Sequence, residues 1–262
     1  MNLPFDSSQL VVLPDKSAIA TAVASKLVAE INQCTTDFSI ALSGGSTPQA
    51  LYSELVENHA NGVDWHRVQF FWGDERCVAP DDEQSNYKMA YEQLLQPLQI
   101  KPQNIFRVRG EDSPEAEATR YAKQIREIVT SDASGLPAFD FLLLGMGADG
   151  HTASTFPHQM ELLENESVCA VATHPETGQK RVTLTGPTIN AARNIVFMIT
   201  GSAKAEVFEQ IAVRTGNWAS YPTSHIGIED RPERLSYFLD KDAAEKMPVS
   251  YTHLTLPTIL LV

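Results

Sequence analysis

The sequence predicts an α/β fold: a single domain with a mainly parallel, Rossmann-like sheet that is covered by helices on both faces. Short, nearly continuous apolar runs alternate with amphipathic helical stretches, as expected for strands that are buried on both faces. The 262 residues are 43% hydrophobic and 20% charged, which is enough apolar material for one large core. No internal repeat or low-complexity linker divides the chain.

The predicted elements follow in order along the chain. Apolar runs predict strands at 38–43, 68–73, 139–145 and 194–201, with a shorter alternating strand at 181–185. Helical stretches are predicted at 47–59, 85–98, 113–129 and 202–213. At the third of these, Ser113 is a good N-cap and Pro114 suits the first helical position. The stretch 235–247 predicts a closing strand and a short helix.

The predicted domain spans residues 1–247. Residues 248–262 are apolar and threonine-rich and carry no Asp, Glu, Lys or Arg, unlike the charged stretch before them. They fit either an edge strand or a non-native appendage, and we favour the appendage.

Composition excludes several classes of partner. The formal net charge of −13 argues against a protein that coats nucleic acid or anionic lipid, since these attract clustered Lys and Arg. The scattered Cys34, Cys77 and Cys169 form neither a disulfide framework nor a zinc motif and fit a reducing, cytoplasmic location. We see no signal peptide and no apolar run that is long enough to span a membrane, and we expect no membrane partner.

Polar and glycine-rich segments follow four of the predicted strands: "SGGSTP", "GDER", "MGADGHTAS" and "GSAK". Ligands of open parallel sheets bind beyond the carboxyl ends of the strands. If the strands are parallel neighbours, these four segments converge on one crevice.

The first segment favours an anion. Gly44 and Gly45 allow backbone N–H groups to approach a ligand closely, and Ser43, Ser46 and Thr47 add hydroxyl donors. We expect Thr47 to cap the following helix, with Pro48 at its first position. The segment lacks the GK[ST] of a Walker A loop and is not GxGxxG, so a simple phosphate ester or a carboxylate is favoured over a nucleotide. A tight strand-to-helix turn with ordinary capping remains the alternative.

The other segments supply titratable and cationic groups. His151 is a candidate general base and Asp149 a candidate partner for its ring, although a histidine here could also simply fill a turn. Lys204 lies in the first turn of a helix, where a cation opposes the helix dipole unless it meets an anion. Arg76 and Arg181 are further candidate cations, with surface positions as the alternative. The seven His residues are not spaced as metal ligands, and GxSxG is absent.

In order and spacing, these motifs together with "SNY" and "RVTLTGPTIN" resemble the 6-phosphogluconolactonase family from about Leu10 to about Ala244. The resemblance implies hydrolysis of 6-phospho-D-glucono-1,5-lactone to 6-phosphogluconate, in the oxidative branch of the pentose phosphate pathway, with no metal or organic cofactor. Thr155 departs from the family pattern, which usually has an aliphatic residue at this position.

The resemblance also implies roles for the site residues. His151 would deprotonate a water molecule and Asp149 would orient or support His151. Arg76 and the N–H groups near Gly44 and Gly45 would bind the lactone oxygens. Candidates for the phosphate are Lys204, Arg181, Ser46 and Thr47. Asp74 and Asn86 would contact sugar hydroxyls or hold the loop, although Asn86 could also be an ordinary helix-start residue.

Two alternatives share the predicted fold. Glucosamine-6-phosphate deaminases resemble the chain in the glycine-rich loop and in "DGH", but they continue with a pattern similar to "IAFNEP". Here "TASTFPH" follows and the glutamate is absent. A sugar-phosphate sensor would need a DNA-binding module with a basic helix, for which this acidic chain leaves no room outside the domain. The oligomeric state is left open.

Overall fold

The computed structural model describes residues 9–227 and 232–248. The strands of this part of the chain are β1 (Leu10–Leu13), β2 (Phe38–Leu42), β3 (Val68–Trp72), β4 (Asp74–Arg76), β5 (Phe141–Leu144), β6 (Cys169–Thr173), β7 (Lys180–Leu184), β8 (Ile195–Ile199) and β9 (Leu235–Asp240). Its α-helices are α1 (Lys16–Gln33), α2 (Ser46–His59), α3 (Asn86–Ala90), α4 (Pro114–Ile128), α5 (Gly186–Ala191) and α6 (Ala205–Val213). A π-helical turn, Tyr91–Leu95, continues α3.

Six strands form a parallel central sheet in the order β1-β9-β8-β5-β2-β3. The predicted α/β class and mainly parallel sheet are therefore confirmed. The chain runs from β2 outward to β3 and then returns to β5 on the other side of β2. The connections reverse direction between β2 and β5, and such a switch point opens a crevice beyond the carboxyl ends of the strands.

Helices cover both faces because the strands are apolar on both sides. Phe141 and Leu143 of β5 pack into the core formed with α1 and α2, whereas Leu142 and Leu144 pack into the core that includes α4 and α6. Side chains alternate between the two faces along a strand, so a continuous apolar run feeds both cores.

A second, antiparallel sheet in the order β4-β7-β6 lies outside the central sheet. The segment "GDER", for which no strand was predicted, contains β4 at residues 74–76, which pairs with β7. A three-residue strand is too short for periodicity to reveal. The predicted strand at 181–185 is present as β7, in this second sheet.

Several element boundaries differ from the predictions. The expectation that Thr47 caps α2 is wrong: α2 begins at Ser46 and its N-cap is Gly45, with φ of 100° and no side-chain cap. Ser113 and Pro114 do begin α4 as N-cap and first residue, although the Ser113 hydroxyl accepts no capping hydrogen bond from the backbone N–H groups of the helix. Residues 241–246 form turns in place of the expected short helix.

The fold also contains β1, α1, β6 and α5, which were not predicted from the sequence. Of the proposed tail at 248–262, only Pro248 is among the described residues, so the domain boundary stays a prediction. No helix in the described part of the chain is long and apolar enough to cross a membrane.

Candidate active site

A cavity of about 220 Å³ opens at the carboxyl ends of the central strands, at the switch point between β2 and β5. Seven of the predicted site residues line it: Gly44, Asp74, Arg76, Asn86, His151, Arg181 and Lys204. Five further residues also line it: Ser43, Gly145, Met146, Gly147 and Ala153. Ser43 adds the hydroxyl expected from the glycine-rich segment. The other four were not predicted, and because they carry no hydrogen-bonding or titratable side chain, only their position beside the polar residues marks them.

His151 and Asp149 form a hydrogen-bonded pair at the end of β5. His151 Nδ1 lies 2.6 Å from Asp149 Oδ1, and the same carboxylate oxygen accepts the backbone N–H of His151 at 3.2 Å. Partial burial raises the pKa of Asp149, but the hydrogen bond and charge of His151 outweigh it and lower that pKa to about 2. Asp149 is therefore ionised at neutral pH and holds the imidazole through Nδ1, which leaves Nε2 for proton transfer.

Gly147 packs directly against both side chains of this pair. A Cβ atom at Gly147 would lie 2.1 Å from His151 Nδ1 and 2.4 Å from Asp149 Oδ1. Any side chain at this position would displace the imidazole or the carboxylate. The glycine is required here because of this close approach.

Two arginines face each other across the β4–β7 ladder. Arg76 and Arg181 are directly paired in register, and both line the cavity. The Nε atoms of both are buried and have no hydrogen-bond partner among the described residues. Burial lowers the pKa of Arg181, with the Asp74 carboxylate opposing this and Arg76 adding to it. Like charges directly opposite each other destabilise a sheet, and a bound anion would offset that cost.

Lys204 is the third cation of the cavity. It ends a 3₁₀ turn, Ser202–Lys204, that immediately precedes α6, close to its predicted place in the first turn of a helix. Burial lowers the pKa of Lys204, while the charge of Asp149 raises it. The preceding Gly201 has φ of 90°, and its N–H donates to both carboxylate oxygens of Asp240 at 3.0 Å. This anchors the turn to the end of β9.

Asp74 ties the second sheet to the His151 loop. Its Oδ2 accepts the Ser154 hydroxyl at 2.6 Å, and Thr183 Oγ1 accepts the Ser154 N–H at 3.2 Å. Thr152 and Thr155 exchange backbone hydrogen bonds around the turn that contains Ser154. Ser154 was not among the predicted site residues. The only sign of it in the sequence is a short polar residue close to "DGH".

Asn86 is buried against the glycine-rich turn. A Cβ at Gly44 would lie 1.9 Å from Asn86 Oδ1, and Asn86 Nδ2 donates to the Asp74 carbonyl at 2.9 Å. Glu75 accepts the N–H groups of Asn86 and Tyr87 at 2.9 and 2.7 Å, and burial raises the pKa of this carboxyl against these hydrogen bonds. The start of α3 is thereby fixed beside the cavity.

The remaining predicted residues lie at the edge of the site. Gly45 and Ser46 line an adjoining groove of about 280 Å³ that shares Arg76 and Asn86 with the cavity. Thr47 lines neither; its hydroxyl lies 2.8 Å from the hydroxyl of Thr200 at the end of β8. The first N–H groups of α2 have no acceptor within the helix and remain suited to an anion.

Among the described residues, no group of three or more His, Cys, Asp or Glu side chains is arranged to hold a metal ion. The chemistry that this arrangement can perform is proton transfer by His151 next to a bound anion. The roles of the individual residues stay proposals.

The chain belongs to the family described as glucosamine-6-phosphate isomerases/6-phosphogluconolactonase, which matches residues 14–236. Within that family, it is 50% identical over 173 residues to a 6-phosphogluconolactonase of Treponema pallidum, covering 66% of this chain and 71% of the relative. It is 38% identical over 207 residues to a 6-phosphogluconolactonase of Aggregatibacter actinomycetemcomitans, covering 79% of this chain and 86% of the relative.

A solved structure of the same family is similar to this fold. The structure of 6-phosphogluconolactonase from Trypanosoma brucei superposes with a TM-score of 0.79 at 32% identity, covering 92% of this chain and 98% of the other.

Proposed function

We propose that this protein hydrolyses 6-phospho-D-glucono-1,5-lactone to 6-phospho-D-gluconate, in the oxidative branch of the pentose phosphate pathway. The observation that carries the proposal is the His151–Asp149 pair at 2.6 Å in a cavity that Arg76, Arg181 and Lys204 also line. A general base beside clustered cations suits an uncharged ester that carries a remote phosphate. The names of the relatives support the same assignment.

In the proposed reaction, His151 Nε2 accepts a proton from water as the water oxygen attacks the lactone carbonyl carbon. Asp149 stabilises the imidazolium that forms, because its pKa of about 2 keeps it ionised. The carbonyl oxygen becomes an oxyanion in the tetrahedral intermediate. Collapse of the intermediate breaks the bond from the carbonyl carbon to the ring oxygen, and His151 returns the proton to that oxygen. The product is the open-chain acid.

Arg76 and the N–H groups near Gly44 and Gly45 are proposed to bind the lactone oxygens and the developing negative charge. Lys204, Arg181, Ser46 and Thr47 are proposed for the phosphate. The adjoining groove supports a role for Ser46 beside the cavity. Thr47 would bind the phosphate from the first turn of α2. Its hydroxyl contacts the hydroxyl of Thr200 and holds that end of the helix in place.

Asp74 and Asn86 are proposed to contact sugar hydroxyls or to hold the surrounding loops. Both line the cavity, and both also make the loop contacts described above.

We also propose a cytoplasmic location. The three cysteines are free thiols, which supports a reducing compartment.

The test is spectrophotometric hydrolysis of the phosphorylated lactone beside that of unphosphorylated gluconolactone. Remote phosphate binding positions the reacting carbon, so we expect a kcat/KM for the phosphorylated substrate that is at least about 10²-fold higher. Comparable values for the two lactones would defeat the proposed phosphate site. Ammonia release from glucosamine 6-phosphate, without lactone hydrolysis, would assign the chain to deaminase chemistry instead.

A further inference from the structure

Phe156 lies behind the candidate active site and contacts two of its groups. Its side chain is fully buried, at 0% exposure, and it does not line the cavity. The His151 ring centroid lies 4.7 Å from the centroid of Phe156, with the two planes tilted by 46°. The guanidinium carbon of Arg181 lies 5.5 Å from the same centroid. One aromatic ring therefore contacts both the imidazole and one of the cations of the cavity.

We propose that Phe156 is a positioning residue that holds the His151 imidazole and the Arg181 guanidinium at a fixed separation. The proposal rests on the proposed function, in which His151 moves the proton and Arg181 binds the anionic end of the substrate. Phe156 itself touches no substrate and acts through these two side chains.

The imidazole needs this contact because its hydrogen bond to Asp149 restrains only one ring atom. The Asp149 side chain is 44% exposed, so water competes for that hydrogen bond. Gly147 closes one side of the imidazole, since a Cβ there would lie 2.1 Å from Nδ1. The Phe156 ring is a second wall, and together these contacts fix the direction of Nε2.

The guanidinium of Arg181 needs a partner that orients it without neutralising it. Its Nε is buried and has no hydrogen-bond partner among the described residues. A carboxylate in hydrogen-bonding contact would hold the group but would also compete with an anionic ligand. An aromatic face attracts a cation through its quadrupole and leaves the full positive charge available.

The experiment measures kcat and KM for Phe156→Leu and Phe156→Met, which keep apolar volume but remove the ring. Phe139→Leu is the matched control, because Phe139 is also fully buried and lies just before β5, at the opposite end of that strand from His151. Misplacing reacting groups is costly, so we expect kcat to fall by at least about tenfold and KM to rise several-fold in both Phe156 variants. Phe139→Leu should change neither by more than about twofold.

A double-mutant cycle separates positioning from general loosening of the core. With Arg181→Met in place, Phe156→Leu should leave KM within about twofold, because the contact it would remove is already gone. Fully additive losses in KM would overturn the proposal, as would unchanged kcat and KM in a folded Phe156 variant. Rates are taken per folded molecule from near-UV circular dichroism, and Phe156→Met covers the case in which Phe156→Leu fails to fold.

A readout independent of turnover keeps this proposal separate from the proposed function. Calorimetry with inorganic phosphate should show a dissociation constant at least about threefold weaker in Phe156→Met than in wild type, and no such change in Phe139→Leu. Wild type that binds phosphate but leaves the lactone intact would overturn the proposed function alone. Equal phosphate affinity in Phe156→Met and wild type would overturn the contribution of Phe156 through Arg181.

Discussion

Asp149 Oδ1 accepts a hydrogen bond from His151 Nδ1 at 2.6 Å, although the two residues are separated by only one glycine. The positive φ of that glycine, 79° at Gly150, turns the chain so that both side chains meet. His151 lines the cavity and is the proposed general base, so His151→Gln should lower kcat by about 10²–10⁴-fold. The side chain is partly exposed and contributes little to the core, so the melting temperature should change by only a few degrees.

Steady-state kinetics and thermal denaturation of His151→Gln check this prediction. Retention of more than about a tenth of wild-type turnover would exclude His151 as the general base.

The Asp149 carboxylate should make stability depend on acid pH. Its pKa is about 2 in the folded protein against an ordinary value of 3.8, so folding favours the ionised form. The resulting stabilisation is fully present above about pH 4 and is lost as the pH falls toward about 2. Urea denaturation should show the difference in unfolding free energy between wild type and Asp149→Asn shrinking over that window.

The control for this measurement is the same substitution in a His151→Gln background. There the partner imidazole is absent and only backbone hydrogen bonds still lower the pKa of Asp149, so the effect of Asp149→Asn should lose most of its dependence on pH. A pH-independent difference between wild type and Asp149→Asn would mean that the pair is not formed in solution.

Gly147→Ala should impair turnover more than folding. Its Cβ would lie 2.1 Å from His151 Nδ1, so the imidazole must move. A displacement of about 1 Å in a reacting group costs on the order of 10² in rate, and we expect that loss in kcat. Gly62→Ala is the matched control, because a Cβ there meets nothing within 4 Å. Equal kcat in the two variants would show that His151 does not rest on Gly147.

Thr155→Val should stabilise the protein. Thr155 is fully buried, and its hydroxyl has no hydrogen-bond partner among the described residues. Valine has the same shape and removes an unsatisfied polar group, so the unfolding free energy should rise by about 1 kcal/mol. This is also the position at which the family resemblance implies an aliphatic residue.

Chemical denaturation measures the Thr155→Val change, and Thr183→Val provides the opposing control. Thr183 Oγ1 accepts the Ser154 N–H and donates to the Leu184 carbonyl, so its loss should destabilise the fold. A stability decrease in Thr155→Val would indicate that its hydroxyl is satisfied in solution, for example by water.

Deleting residues 248–262 should leave kcat/KM unchanged and the melting temperature the same or higher. These residues lie outside every motif assigned to the site and carry no Asp, Glu, Lys or Arg. An exposed apolar tail would also favour association, so size-exclusion chromatography should show less aggregate after truncation at Met247. Loss of several degrees in melting temperature would instead make the tail a strand of the sheet.

Local patterns in the sequence were sufficient to predict the class of fold and the edge of the sheet that holds the site. Apolar runs such as 139–145 identify strands buried on both faces, and the polar residues after them lie at their carboxyl ends whatever the details of packing. The pairing of β2 with both β3 and β5 then brings Gly44 and His151 to one cavity, as the motif positions predicted.

Only the tertiary structure decided the contacts that join residues distant in the chain. Arg76 and Arg181 meet because β4 pairs with β7 in one particular register, which a three-residue strand does not reveal in its own sequence. Thr47 is a favourable N-cap by residue type, yet its hydroxyl meets the hydroxyl of Thr200, and the N-cap of α2 is Gly45, two residues earlier. Nothing in the sequence distinguishes Phe156 from other core residues. Only the packing brings the imidazole of His151 and the guanidinium of Arg181 into contact with its ring. Propensities act over a few residues, whereas these contacts are set by the packing of the two sheets and their connecting loops.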